Sequence, residues 1–121
     1  MGWFSNNNSK SSLNWTNLST VEELASFLDK KDKPVVVFKH STRCAISSMA
    51  LNRLESEWDA KEEDIYLGFI DLVKHRDLSN ACADITKVTH QSPQVIVLNN
   101  GEVLHNASHS AISYDQIVKY L

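Results

Sequence analysis

Apolar positions along this chain fall into short blocks that alternate between two kinds of spacing. Val21, Leu24, Ala25 and Leu28 recur as one face of a helix behind the overlapping capping boxes Ser19-x-x-Glu22 and Thr20-x-x-Glu23. A charged turn, Asp29 to Lys33, and Pro34 end that helix. Val35 to Phe38 is apolar without alternation, as in a strand covered on both faces. A second helix is expected from Cys44, with Ile46, Met49, Ala50, Leu54 and Trp58 inward and Ser41 and Thr42 as caps. Ile65 to Leu72 reads as a strand, and His75 to Val88 holds a helix with Leu78, Ala81, Cys82 and Ile85 inward. Gln94 to Leu98 and Glu102 to His105 flank Asn99-Asn100-Gly101, a strong hairpin turn. A last helix opens at Ser113-x-x-Gln116 and buries Tyr114, Ile117, Val118 and Leu121. With a short strand at Leu13 to Leu18, the order is β-α-β-α-β-α-β-β-α. The early alternation calls for parallel strands with right-handed crossovers, and the hairpin adds an antiparallel pair.

Composition narrows the function classes. The 121 residues are 42% hydrophobic and 22% charged, the balance of one globular domain, here expected over residues 13–121. Residues 1–12, polar and rich in Asn and Ser, read as a poorly ordered lead-in whose Trp3 and Phe4 could dock on a neighbouring surface. A net charge of −3 argues against a nucleic-acid partner. No apolar run approaches the roughly 18 residues of a membrane span, and the N-terminus lacks a secretory pattern, so a reducing cytoplasm is the expected location.

Cys44 and Cys82 are the chain's two cysteines. Cys44 follows a strand and a short polar loop and opens a helix, where backbone N–H groups and the helix dipole converge. Both favour the thiolate, the attacking form, and Arg43 adds a positive neighbour. The alternative is a packed structural thiol. Ser47 stands where a dithiol enzyme carries its second cysteine; it either hydrogen-bonds the Cys44 thiolate or is an ordinary polar residue of the first turn. Cys82 lies on an apolar helix face and reads as a core thiol, with resolution of Cys44 as its alternative role. The five histidines include His105-x-x-x-His109, but a strand end and a loop do not set both on one helical face, so no metal site is expected.

The element order, with a cysteine opening the second helix and Pro93 opening the fourth strand, resembles the thioredoxin fold: α/β, a central mixed sheet flanked by helices. Phe38 to Ser47, Gln91-Ser92-Pro93-Gln94, Asn100-Gly101-Glu102-Val103 and Asn106-Ala107-Ser108-His109 together resemble the monothiol bacilliredoxin family of YtxJ type. The similarity runs from about Leu18 to the C-terminus. The family pattern is Thr-Cys-Pro-Ile-Ser; here Arg43 precedes the cysteine and Ala45 replaces the proline.

The resemblance implies a thiol–disulfide oxidoreductase that removes bacillithiol, or a similar low-molecular-weight thiol such as coenzyme A, from mixed disulfides on client proteins. Cys44 would be the nucleophile, supported by Ser47 and Arg43. Thr42, Gln91, Ser92, Pro93 and His109 would meet the substrate, with a cis bond before Pro93 leaving the backbone near Ser92 open for pairing and His109 near the thiolate. The small thiol would act as co-substrate, with no tightly bound cofactor. The competing class is a non-catalytic thioredoxin-fold adaptor or general stress protein that binds a protein partner through the same groove.

Overall fold

A computed structural model of the chain describes residues 13–121. The expectations for residues 1–12, including Trp3 and Phe4, lie outside the described residues. The strands are β1 (Thr16–Asn17), β2 (Val35–His40), β3 (Tyr66–Asp71), β4 (Gln94–Asn99) and β5 (Glu102–Ser108). Between and after them run α1 (Val21–Leu28), α2 (Ala45–Glu57), α3 (Arg76–Thr86) and the short α4 (Tyr114–Ile117). The sheet order is β1-β3-β2-β4-β5, with β1, β3 and β2 parallel and β4 antiparallel to both β2 and β5. This is the expected α/β architecture of a mixed sheet flanked by helices.

The central strand explains the two-sided core. Val35 and Val37 join Leu24, Leu28, Ile70, Leu78, Cys82 and Ile96 on the face covered by α1 and α3. Val36 and Phe38 join Ala50, Leu54, Val95, Val97 and Ile117 under α2 and α4. A strand buried on both faces needs apolar residues at every position, which is why the Val-Val-Val-Phe run does not alternate. The strand runs further than its apolar run, however. Lys39 and His40 continue it and are themselves buried, one on each face.

Turn chemistry acts as expected. Thr20 caps α1, its hydroxyl accepting from the Glu23 N–H while the Glu23 carboxylate accepts from Thr20 N–H. The Ser19 N–H also goes to Glu23, so the expected Ser19–Glu22 box is not formed. Asn100 and Gly101 form a two-residue hairpin with φ of 56° and 78°, the positive pair that a type I′ turn requires.

The buried faces of the helices depart from the expected phase. In α1 the inward residues are Leu24, Phe27 and Leu28, whereas Val21 and Ala25 are exposed. Phe27 lies against Gly68 of β3, where a Cβ would come within 2.6 Å of its ring. In α2 the inward residues are Ser47, Ala50 and Leu54, leaving Ile46 and Met49 58% and 66% exposed. In α3 they are Leu78, Ser79, Cys82 and Thr86, leaving Ile85 exposed and Ala81 half-buried. In α2 and α3 polar residues with partners take inward slots. Ser47 bonds His40, Ser79 bonds His90, and the Thr86 hydroxyl donates to the Cys82 carbonyl at 2.7 Å. At the C-terminus Ser113 accepts from the Gln116 N–H, and Ile117 is buried while Val118 is exposed.

Candidate functional site

Three loops meet at one end of the sheet. Because β3 runs parallel to β2 and β4 antiparallel, the C-terminal ends of β2 and β3 share an edge with the start of β4. The loop after His40 therefore faces the segment after Asp71 and the loop that ends at Pro93. Crevices outside the carboxyl ends of strands are where such sheets hold ligands.

Cys44 is the N-cap of α2, half-buried, in extended backbone. Its carbonyl accepts the first helical bond from the Ser48 N–H at 3.1 Å, and its own N–H donates to the Ser41 carbonyl at 3.1 Å. No side chain caps the helix, so the expected capping by Ser41 and Thr42 is not made. The first N–H groups of a helix have no partner inside it. Cys44 thus takes the chain position where a Ser or Asp would otherwise supply a capping oxygen.

Beneath it lies a pair that the sequence reading missed. Ser47 is fully buried, its hydroxyl 2.7 Å from His40 Nδ1, and it accepts the Ser41 N–H at 3.1 Å. No hydrogen bond joins Ser47 to the Cys44 sulfur, so of the two roles open to it from sequence the bond to the thiolate is not made. The hydroxyl instead ties the start of the 41–44 loop to the last residue of β2. His40 packs against both Phe38 and Phe69, with the Phe69 ring centroid 5.5 Å away. Burial holds its pKa below the ordinary histidine value, opposed in part by Asp71 and Glu55.

On the other face of β2, Lys39 is fully buried. Its Nζ lies 3.3 Å from His90 Nδ1, and the Ser79 hydroxyl lies 2.7 Å from the same nitrogen. Burial lowers the Lys39 pKa and raises that of the equally buried Cys82, so the neutral form of each is favoured. Cys82 belongs to the core layer of α1 and α3, across the sheet from α2, and both cysteines are free.

The Ser92–Pro93 bond is cis, as the resemblance implies. The loop before it is tied to β4 by the Gln94 Nε2, which donates to the Thr89 carbonyl at 3.0 Å. Pro93 is buried, and its carbonyl accepts the His109 N–H at 3.2 Å, which brings the turn after β5 to the same end. Arg43 and Ser92 line a common cavity of about 470 Å³. The structure thus brings Cys44, Arg43, Ser47, Ser92, Pro93 and the His109 backbone together. Thr42 and Gln91 are exposed, and their side chains make no hydrogen bond among the described residues. His105, on β5, stacks on Tyr120 at 5.2 Å.

A sheet of this topology, with a cysteine at the N-cap of its second helix and a cis-proline loop at the same end, defines the thioredoxin-fold class. Solved structures share it. A thioredoxin-fold protein described as a candidate oxidoreductase is 29% identical over 86% of this chain and 90% of its own, with a TM-score of 0.70. Thioredoxin from Malassezia sympodialis is 17% identical over 88% and 90%, at 0.68. A structure from work on thiol resolution in a yeast mitochondrial 1-Cys peroxiredoxin is 18% identical over 88% and 95%, at 0.69. Within that class the chain belongs to the monothiol bacilliredoxin BrxC family, whose model matches residues 16–117. The family and the fold together make this a thiol-redox protein. Among the described residues no helix is long and apolar enough to cross a membrane.

Proposed function

We propose that the protein removes a low-molecular-weight thiol, bacillithiol in the first instance, from mixed disulfides on client proteins. The Cys44 thiolate attacks the sulfur of the small thiol. A new disulfide forms between Cys44 and that thiol, the old disulfide breaks, and the client leaves as a thiolate. Nothing is oxidised or reduced overall in this step. A second thiol from solution then attacks the adduct, regenerating the Cys44 thiolate and carrying away the small thiol as a disulfide.

The single observation that supports a monothiol cycle is the setting of the two cysteines. Cys44 is partly open at a helix N-cap, whereas Cys82 is fully buried on the other side of the sheet and Ser47 fills the usual resolving position. Ser47 acts here as a positioning residue: with His40 it fixes the loop that carries Cys44. In this reading Arg43 and the Ser92-Pro93 segment meet the substrate, with Thr42, Gln91 and His109 at the rim. A reducing cytoplasmic compartment fits this cycle, since it keeps Cys44 free.

The exposed Ile46 and Met49 beside Cys44 favour a protein partner. They suit a client, and they equally suit the adaptor reading, in which a partner docks without exchange. Incubating wild type and Cys44→Ser with a bacillithiolated client separates the two. Release of the client thiol by wild type alone supports exchange. Equal release by both, or none by either, rejects it. Parallel clients carrying coenzyme A identify the preferred small thiol.

A further inference from the structure

The cavity lined by Arg43, the residue before Cys44, carries a charge pattern that the exchange step does not use. It lies between the Cys44 loop, the loop before Pro93 and the first turns of α3, and about 470 Å³ is room for a small molecule. Arg43 and Arg76 line it together with His90 and Asn80, and no carboxylate of the described residues does. The one ion pair among the described residues is Lys31 with Asp29, so neither guanidinium is ion-paired there.

A third basic group stands behind the wall. The fully buried Lys39 amine reaches His90, whose pKa is held down by burial and then by Lys39 and Arg76. Arg76 is also badly placed for helix stability alone. It is the first residue of α3, where the helix dipole disfavours a positive side chain. An anion in the cavity would meet both arginines at once, and a guanidinium offers it two parallel donors.

We infer that this cavity is the subsite for an anionic group, carboxylate or phosphate, on the low-molecular-weight thiol whose sulfur is joined to Cys44. The inference rests on the exchange reading of Cys44. Arg43 and Ser92 connect the two places: one precedes the nucleophile, the other precedes Pro93, and both line the cavity. Arg76 and Asn80 hold the far end, so small thiols are selected by charge before their sulfur meets Cys44.

Two measurements on the full chain test this. In Cys44→Ser protein, succinate and inorganic phosphate are titrated while the backbone amide resonances of Arg76, Ser79, Asn80 and His90 are followed. In protein with Cys44 intact, intact mass gives the rate of mixed-disulfide formation with dithiodipropionate, oxidised coenzyme A and neutral hydroxyethyl disulfide. The expected results are anion-dependent shifts, and faster reaction with one or both anionic disulfides than with the neutral one. The faster of the two identifies carboxylate or phosphate as the preferred group. Arg76→Gln weakens anion binding and lowers the anionic rate about tenfold, leaving the neutral rate unchanged. The subsite is overturned if Cys44 reacts with all three alike, if Arg76→Gln slows them equally, or if the anions shift no cavity resonance. If the anions bind but Cys44 reacts with no small disulfide, the exchange reading falls, and with it the role of the cavity in thiol selection.

Discussion

Replacing Ser47 by Ala removes one oxygen from a place that water does not reach. That oxygen has two partners, His40 Nδ1 at 2.7 Å and the Ser41 N–H at 3.1 Å. Leaving a buried polar group unsatisfied costs about 1–3 kcal/mol, with partly exposed groups at the low end. His40 is 7% exposed and Ser41 is half-buried, so the two losses together come to about 2–4 kcal/mol. Urea denaturation of the reduced protein at pH 7.5 measures this as a lower midpoint at unchanged slope. Replacing both members of a buried pair is cheaper than breaking it. Ser47→Ala combined with His40→Phe, placed among Phe38 and Phe69, should therefore lose less than the sum of the single changes. The loop that holds Cys44 loses its anchor in Ser47→Ala, and disulfide exchange at Cys44 slows about tenfold from misplacement alone. A Ser47→Ala protein within about 0.5 kcal/mol of wild type, or additive single and double variants, would refute this account of the pair.

Other consequences are as direct. Gly68→Ala drives a methyl group to 2.6 Å from the Phe27 ring, an overpacking of about 1–3 kcal/mol. Phe27→Leu in the same protein should recover part of the loss in thermal midpoint, and a neutral Gly68→Ala would contradict the packing. Burial holds His40, His90 and His105 below the ordinary histidine value. The unfolded chain then takes up protons near pH 6.5 that the folded chain refuses. Stability is therefore fully present above about pH 7 and falls as the pH drops through about 6.5, visible as a lower urea midpoint at pH 5.5 than at 7.5. A midpoint that stays level or rises would show that these histidines are not held neutral. Lys39→Met removes a buried amine that lacks a carboxylate partner, and should raise stability by about 1–3 kcal/mol at pH 7. A loss of stability would mean that the Lys39–His90 contact outweighs the burial of the amine.

The parts of this molecule that could be read from its residues are those set by local chemistry. Thr20 and Glu23, the Asn100-Gly101 turn and the unbroken apolar run of β2 each specify one backbone geometry, and the element order follows from them. The helix faces could not be read so well, because apolar periodicity counts a buried serine as a surface residue. Ser47, Ser79 and Thr86 point inward, and their partners, His40, His90 and the Cys82 carbonyl, come from the preceding strand, the loop after the same helix and the residue one turn back. For Ser47 and Ser79 nothing short of the tertiary fold announces the pairing. The same holds for Lys39 and His40: two polar residues after an apolar run signal a strand end, yet the sheet continues through them to the loop of Cys44. Cys44 itself was legible from its position between strand and helix. The bond that Ser47 makes was not.

The central claim is that one thiol, Cys44, performs the exchange and waits for an external thiol to release its adduct. Intact mass spectrometry after reaction with one equivalent of a bacillithiolated client tests it most directly. The account predicts a protein heavier by a single small thiol, with the adduct on Cys44 and Cys82 reduced. A protein two hydrogens lighter, carrying a Cys44–Cys82 disulfide, or an adduct on Cys82 with Cys44 untouched, would contradict it.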